Sequence, residues 1–232
     1  MNYDAWAKAY DYVFPYKPQT FKFLDNHLKR GTICDVACGT GTYALALAEA
    51  GYPVAAYDLS EALIDEAKWK TPADLPVTFS VMDMREFPLD KAYSGIYCIG
   101  NSLVHLQNET EIKNVLERFK ASLKPGGDLI IQIVNYDRIL DAKIDQLPKL
   151  ENPPYVMTRH YRFEAGKILF ETELFDGETK QKSIVRLYPL RSDALRRLLH
   201  ETGFTIQKLY GGFDASTYKA ETSFALVVHA KL

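Results

Sequence analysis

The chain has 232 residues, 47% of them apolar and 25% charged, with a formal net charge of −2 at pH 7. That profile belongs to an ordinary globular protein, with length for one domain and an insertion. No run of one charge sign marks a nucleic-acid surface, and no apolar run approaches the roughly 20 residues of a membrane span.

The N-terminus, Met1-Asn2-Tyr3-Asp4-Ala5-Trp6, lacks a basic region followed by an apolar run, so no signal peptide is expected. Cys34, Cys38 and Cys98 are the three cysteines. Their small, odd number points to a reducing compartment, and so to the cytoplasm. Cys34 and Cys38 lack the spacing of a zinc site and no histidine lies near them. They are expected to be buried small apolar residues, with no metal.

The first segment is aromatic, carrying Tyr3, Trp6, Tyr10, Tyr12, Phe14 and Tyr16. Pro15 and Pro18 prevent one continuous helix. A helix is predicted over Thr20 to Arg30, closed by Gly31. Strand and helix then alternate. Strands are predicted at Thr32 to Ala37, Pro53 to Tyr57, Val77 to Met82 and Gly95 to Ile99. Helices are predicted at Thr42 to Ala50 and Glu61 to Lys70. Glu109 to Leu123 is the best-patterned helix, with Ile112, Val115, Leu116, Phe119 and Leu123 on one stripe. Lys124-Pro125-Gly126-Gly127 ends it, and Asp128 to Val134 is a continuous apolar strand.

The pattern changes after Leu147. Tyr155 to Glu164, Lys167 to Phe175 and Lys182 to Tyr188 read as three strands, joined by the hairpin signals Ala165-Gly166 and Asp176-Gly177. Arg159 and Arg162 are expected to share one face there, facing either solvent or the pocket. Ser192 is expected to cap a helix running to Thr202. Thr205 to Tyr210 and Ser223 to Ala230 form a final antiparallel pair. The expected fold is α/β: a doubly wound, mostly parallel seven-stranded sheet with an antiparallel last strand. Residues 1–146 and 189–232 form the main domain, and 147–188 a small antiparallel insertion that serves as substrate lid or dimer surface.

Asp35-Val36-Ala37-Cys38-Gly39-Thr40-Gly41-Thr42 lies between the first strand and a helix. Glycines there let the backbone approach a ligand closely. Asp58 ends the next strand, where its two oxygens suit the two hydroxyls of a ribose. Gly39-Thr40-Gly41-Thr42-Tyr43-Ala44 also fits the pattern of nicotinamide or flavin binding. Asp83, after the third strand, suits an adenine amine, although an aspartate at a strand end also caps turns. Asp35 is expected to hold the loop's backbone.

Together with Lys124-Pro125-Gly126-Gly127 and the closing antiparallel pair, these motifs resemble the class I S-adenosylmethionine-dependent methyltransferases. The resemblance spans about residues 20 to 136 and 189 to 232. A closer likeness runs through Asp35 to Gly41, Cys98 to Leu106, Asn135 to Leu140 and Arg186-Leu187-Tyr188-Pro189. These stretches are similar to those of the glycine and sarcosine N-methyltransferases, small-molecule enzymes that also carry antiparallel strands after the fifth strand.

The resemblance implies S-adenosylmethionine as cofactor and methyl transfer to a small molecule, with an amine as the expected acceptor. Ala37, Gly39, Thr40 and Gly41 flank its methionine part. Asp58 and Leu59 take the ribose, and Asp83 and Met84 the adenine. Ile99, Gly100, Asn101 and Ser102 lie beside the sulfonium. Asn135, His105 and Tyr188 are the catalytic candidates. Asn135, Tyr136, Arg186 and Tyr188 are the substrate-side candidates. Tyr10 is the expected cofactor contact of an aromatic lid. The family's arginine for the cofactor carboxylate has no equivalent before Arg30, and Lys17 is the substitute considered. O- or C-methylation, a nicotinamide oxidoreductase and a non-catalytic cofactor-binding module are the competing readings. No nucleic-acid or membrane partner is expected; a homodimer is left open.

Overall fold

The computed structural model describes residues 6–89 and 92–232; Tyr3 of the aromatic series lies outside them. The N-terminal segment forms a 3-10 turn, Ala7–Ala9, and a short helix α1 (Tyr10–Val13). Helix α2 (Pro18–His27) starts on proline, whose missing amide costs nothing in a first turn. It ends earlier than the expected Arg30, because Leu28 turns extended and buries its side chain.

Next come β1 (Ile33–Val36), α3 (Thr42–Glu49), β2 (Val54–Asp58), α4 (Glu61–Trp69), β3 (Val77–Val81), β4 (Tyr93–Cys98), α5 (Glu109–Ser122) and β5 (Leu123–Val134). Beyond them lie α6 (Tyr136–Asp141), β6 (Gln146–Asn152), β7 (Tyr155–Glu164), β8 (Lys167–Phe175), β9 (Lys180–Leu187), α7 (Ser192–Glu201), β10 (Thr205–Tyr210) and β11 (Ala225–Lys231).

The seven-stranded sheet runs β10-β11-β5-β4-β1-β2-β3. Strand β11 is antiparallel to both neighbours, and the remaining pairings are parallel. Central strands β1 and β4 are buried throughout, as a parallel sheet covered on both faces requires. Alternate residues of β1 divide between two core layers. Cys34 and Val36 join the apolar stripe of α5, and Ile33 joins Leu24, Leu47 and Ile64 from the helices opposite. The expected α/β fold is the one observed.

The insertion is a second, four-stranded antiparallel sheet, β6-β7-β8-β9. Its Leu147, Tyr161, Ile168, Phe170 and Leu187 join the main core layer. Its outer end, Met157 and Leu174, packs against Trp6, Ala9 and Val13 of the N-terminal segment.

Several local expectations change. Strand β6 is unforeseen, because Pro148 and alternating charges hide it; an edge strand tolerates both. Helix α6 is also unforeseen. The Asn135 side chain accepts the Arg138 amide and so caps it. Ser192 is not a cap but the first residue of α7. The Ser192 amide donates instead to Asp137 of α6 at 3.3 Å, so a distant carboxylate does the capping. Lys124–Gly127 belongs to the span of β5: Leu123 pairs with Tyr93, and the Gly126 amide donates to the Leu232 carbonyl.

Candidate active site

The sheet winds in opposite directions from β1 towards β2 and towards β4, and the crevice at the strands' carboxyl ends is where doubly wound sheets bind ligands. A cavity of about 390 Å³ lies there. Ala37 lines it after β1, Asp58 and Leu59 at the end of β2, Asp83 and Met84 after β3, and Gly100 and Ser102 after β4. Tyr10 and His105 also line it. Of these nine expected residues, those after the strands are gathered by the sheet topology, and Tyr10 is brought in by the N-terminal segment.

The glycine loop is built under constraint. Ala37 has φ +61°, Gly39 φ +58° and Gly41 φ +75°, a region that costs a non-glycine residue roughly 1–2 kcal/mol. A Cβ on Gly39 would lie 2.9 Å from the Tyr10 ring, and one on Gly41 would enter the Phe79 ring. Asp58 holds the loop from below: its Oδ2 accepts the Gly39 amide at 2.8 Å and its Oδ1 the Ser60 amide at 2.9 Å. A carboxylate offers about four acceptor positions, so these two bonds alone do not fill it.

Across the cavity, the Asp83 carboxylate accepts from the Arg85 amide at 2.9 Å and from its guanidinium at 2.5 Å. Those bonds hold its pKa below the ordinary range, so it faces the cavity ionised. Gly100 has φ +81°, and a Cβ there would meet nothing nearer than the Ser102 hydroxyl at 3.9 Å. The wall beside it is therefore open to a ligand because that residue carries no side chain. His105 is pushed down to about 4 by burial, so its ring is neutral at pH 7.

Other expected cofactor residues stand behind the wall. The Thr40 side chain is buried and its hydroxyl donates to Asp11. Ile99 packs into the core layer beneath. Asn101, at φ +70°, accepts the Val134 amide at 2.9 Å and donates to the Tyr136 hydroxyl at 3.1 Å. Lys17 is exposed, and its backbone amide donates to the Tyr43 hydroxyl. Asp35 bonds no loop amide. It accepts the Tyr97 hydroxyl at 2.7 Å, and burial, with the Asp58 charge adding, raises its pKa to about 8.

The substrate-side candidates divide. Asn135 is 1% exposed, and its amide donates to the carbonyls of Ala220 and Ser223, both at 2.9 Å. Its oxygen accepts from Tyr218 and Arg138. That side chain caps α6 and ties down the loop before β11, away from the cavity. Arg186 pairs across the strands with Leu169, on the exposed outer face of the insertion. Tyr188 points to Glu109 at 3.2 Å, at the start of α5. Arg159 and Arg162 do not share a face, because a strand puts residues three apart on opposite sides. Arg162 pairs outside with Glu171, while Arg159 lies inside, its guanidinium donating to the Pro148 carbonyl at 2.6 Å.

That inner face holds Arg159, for which the pocket is one of two expected surroundings, and Tyr161, which the sequence does not single out. Arg159 Nε is buried without a hydrogen-bond partner among the described residues, and the Tyr161 hydroxyl is buried against Tyr136. Two residues apart, they point the same way. Burial lowers the Arg159 pKa, and Tyr161 is close enough to Tyr136 to perturb its ionisation. Tyr136 in turn bonds Asn101, next to Gly100 of the cavity wall. Tyr136 thus lies between Asn101, beside the cavity wall, and Tyr161 of the insertion. A period-two reading of Arg159 and Tyr161 was available from sequence, but not which face is buried.

Cofactor fit rests on these features: an open wall at Gly100, a loop kept bare by glycines, and acidic groups at the ends of β2 and β3. They match a nucleoside with a small charged tail. A methyltransferase-domain family model matches residues 33–127. The chain is 33% identical over 237 residues to a glycine/sarcosine N-methyltransferase of Halorhodospira halochloris, spanning 98% of this chain and 86% of that protein. It is 31% identical to the glycine/sarcosine N-methyltransferase of Aphanothece halophytica, over 86% of this chain and 76% of the other. In fold it resembles an S-adenosylmethionine-dependent methyltransferase from Clostridium acetobutylicum, with TM-score 0.84, 18% identity and coverage of 99% and 98%.

Proposed function

The chain belongs to the S-adenosylmethionine-dependent methyltransferases, and from that membership we propose that it methylates the nitrogen of a small amino acid, of the glycine or sarcosine kind. Two of its relatives carry those substrates in their names. The observation that carries the reading is a pair of buried donors: Arg159 Nε, which has no partner among the described residues, and the Tyr161 hydroxyl beside Tyr136. Buried polar groups ordinarily find partners. A carboxylate satisfies both donors, and a guanidinium suits it by charge and planar shape. The insertion is then a lid over the acceptor rather than a dimer surface.

When bound, the cofactor supplies an activated methyl group on a cationic sulfur. In this reading Gly39, Gly41, Asp58, Asp83, Met84 and Gly100 hold it. The remaining task of the protein is alignment, which supplies roughly 7–11 kcal/mol of barrier reduction in well-oriented reactions. His105, with its pKa near 4, is a weak base, and burial raises the Tyr136 phenol well above its usual value, keeping it a donor. The acceptor amine therefore reacts as the neutral form, oriented by its carboxylate. We assign the enzyme to the cytoplasm, without a nucleic-acid partner; its three unpaired cysteines and its net charge of −2 support this.

The test is transfer of labelled methyl from S-adenosylmethionine to glycine, sarcosine and matched amines lacking a carboxylate. Turnover of the amino acids and not of the bare amines is expected. Turnover confined to amines without a carboxylate, or to hydroxyl acceptors, overturns the reading.

A further inference from the structure

The N-terminal segment is a strap fastened by unlike contacts. Towards the insertion it is held by apolar packing: Trp6, 2% exposed, sits with Met157 and Leu174. The Asn152 side chain adds a bond to the Tyr12 carbonyl at 3.0 Å. Towards the cofactor domain it is held through Asp11. One oxygen of Asp11 accepts the hydroxyls of Thr40 and of Thr42, the latter at 3.0 Å. The other accepts the Lys70 ammonium at 2.5 Å. A single carboxylate thus gathers the glycine loop, the first residue of α3 and the residue that follows α4.

None of these four groups lines the cavity. Tyr10, next to Asp11, does, and its ring rests against Gly39. We propose that Asp11 is a positioning residue, a latch that holds Tyr10 over the glycine loop and whose release opens the cavity for cofactor exchange. The chemistry of the two fastenings decides which opens. The Asp11 side chain is 45% exposed, so water can replace its polar partners at small net cost. Trp6 would have to carry a large apolar surface into water. Release at Asp11 swings Tyr10 away while the Trp6 end stays seated. The proposal rests on the cofactor reading of the cavity.

The test compares the wild-type protein with Asp11→Asn and Lys70→Met. Release of S-adenosylhomocysteine is followed by stopped flow, and KM and kcat are measured for the cofactor. In Asp11→Asn, release about fivefold to tenfold faster and a matching rise in cofactor KM are expected, with kcat held or raised. Lys70→Met shows a smaller change of the same sign. Release and KM within twofold of wild type in both variants, tighter cofactor binding, or a loss confined to kcat overturns the latch. Calorimetry on the wild type separates the two failures. If it binds S-adenosylhomocysteine and the variants match it, the latch alone falls. If it does not bind, the cofactor reading of the cavity falls with it.

Discussion

Asp58 and Gly39 are joined by a 2.8 Å bond from the Gly39 amide to a carboxylate oxygen, although they sit on different strand ends. One side chain therefore shapes the glycine loop and also lines the cavity. Asp58→Ala removes both roles. Binding of S-adenosylhomocysteine is expected to weaken by more than about tenfold, since hydrogen bonds to charged groups contribute roughly 1.5–3 kcal/mol each. Asp58→Asn keeps an acceptor for Gly39 and should fall between. Unchanged calorimetric affinity in Asp58→Ala removes Asp58 from the cofactor site.

Gly41 and Gly100 should fail differently. Both have positive φ, but a Cβ on Gly41 meets Phe79, while one on Gly100 stands in open space. Gly41→Ala adds overpacking of roughly 1–3 kcal/mol to its backbone strain. Its melting temperature should fall by several degrees more than that of Gly100→Ala. Gly100→Ala should lose cofactor affinity instead, because its new methyl occupies the cavity. Scanning calorimetry and ligand titration of both variants check this.

His105→Asn should keep kcat within about 100-fold of wild type, the low end of what a general acid or base contributes. With its pKa near 4, His105 also adds no limb to the rate profile between pH 6 and 9. A drop of several orders of magnitude, with a lost limb in that range, would make it the base.

Arg159→Gln and Tyr161→Phe should raise acceptor KM at least about tenfold, with cofactor affinity within twofold. Equal acceptor KM in both variants would move the acceptor elsewhere.

Asp35 gives stability a pH dependence. Its pKa, raised to about 8 in the folded chain, lies above the roughly 3.9 of an unfolded aspartate. Between these values the folded state holds a proton that the unfolded state does not. Stability from this group is thus fully present below about pH 4 and is lost as pH rises towards 8, by up to about 1.4 kcal/mol per unit. Asp35→Asn should flatten that fall in urea titrations at pH 5 and pH 8. Parallel curves for the two proteins would show that Asp35 ionises normally.

The sequence by itself determined the α/β winding, the glycine loop and the position of Asp58. All three are local: a short apolar strand, a glycine turn, a helix and the next strand follow in order, and the parallel sheet then places Asp58 beside Gly39. Only the tertiary structure decided the rest. Asn135 carries the right chemistry for a substrate contact, yet the loop before β11 folds over it and takes its amide. Ser192 has the chemistry of a cap, yet Asp137 reaches its amide from another helix. Arg186 and Arg159 lie on opposite faces of the insertion sheet, and its packing decides which of them is enclosed. Side-chain chemistry is a property of the residue. Its use depends on which distant groups arrive first to satisfy it, because a buried polar atom takes whatever partner the assembled core brings within bonding distance.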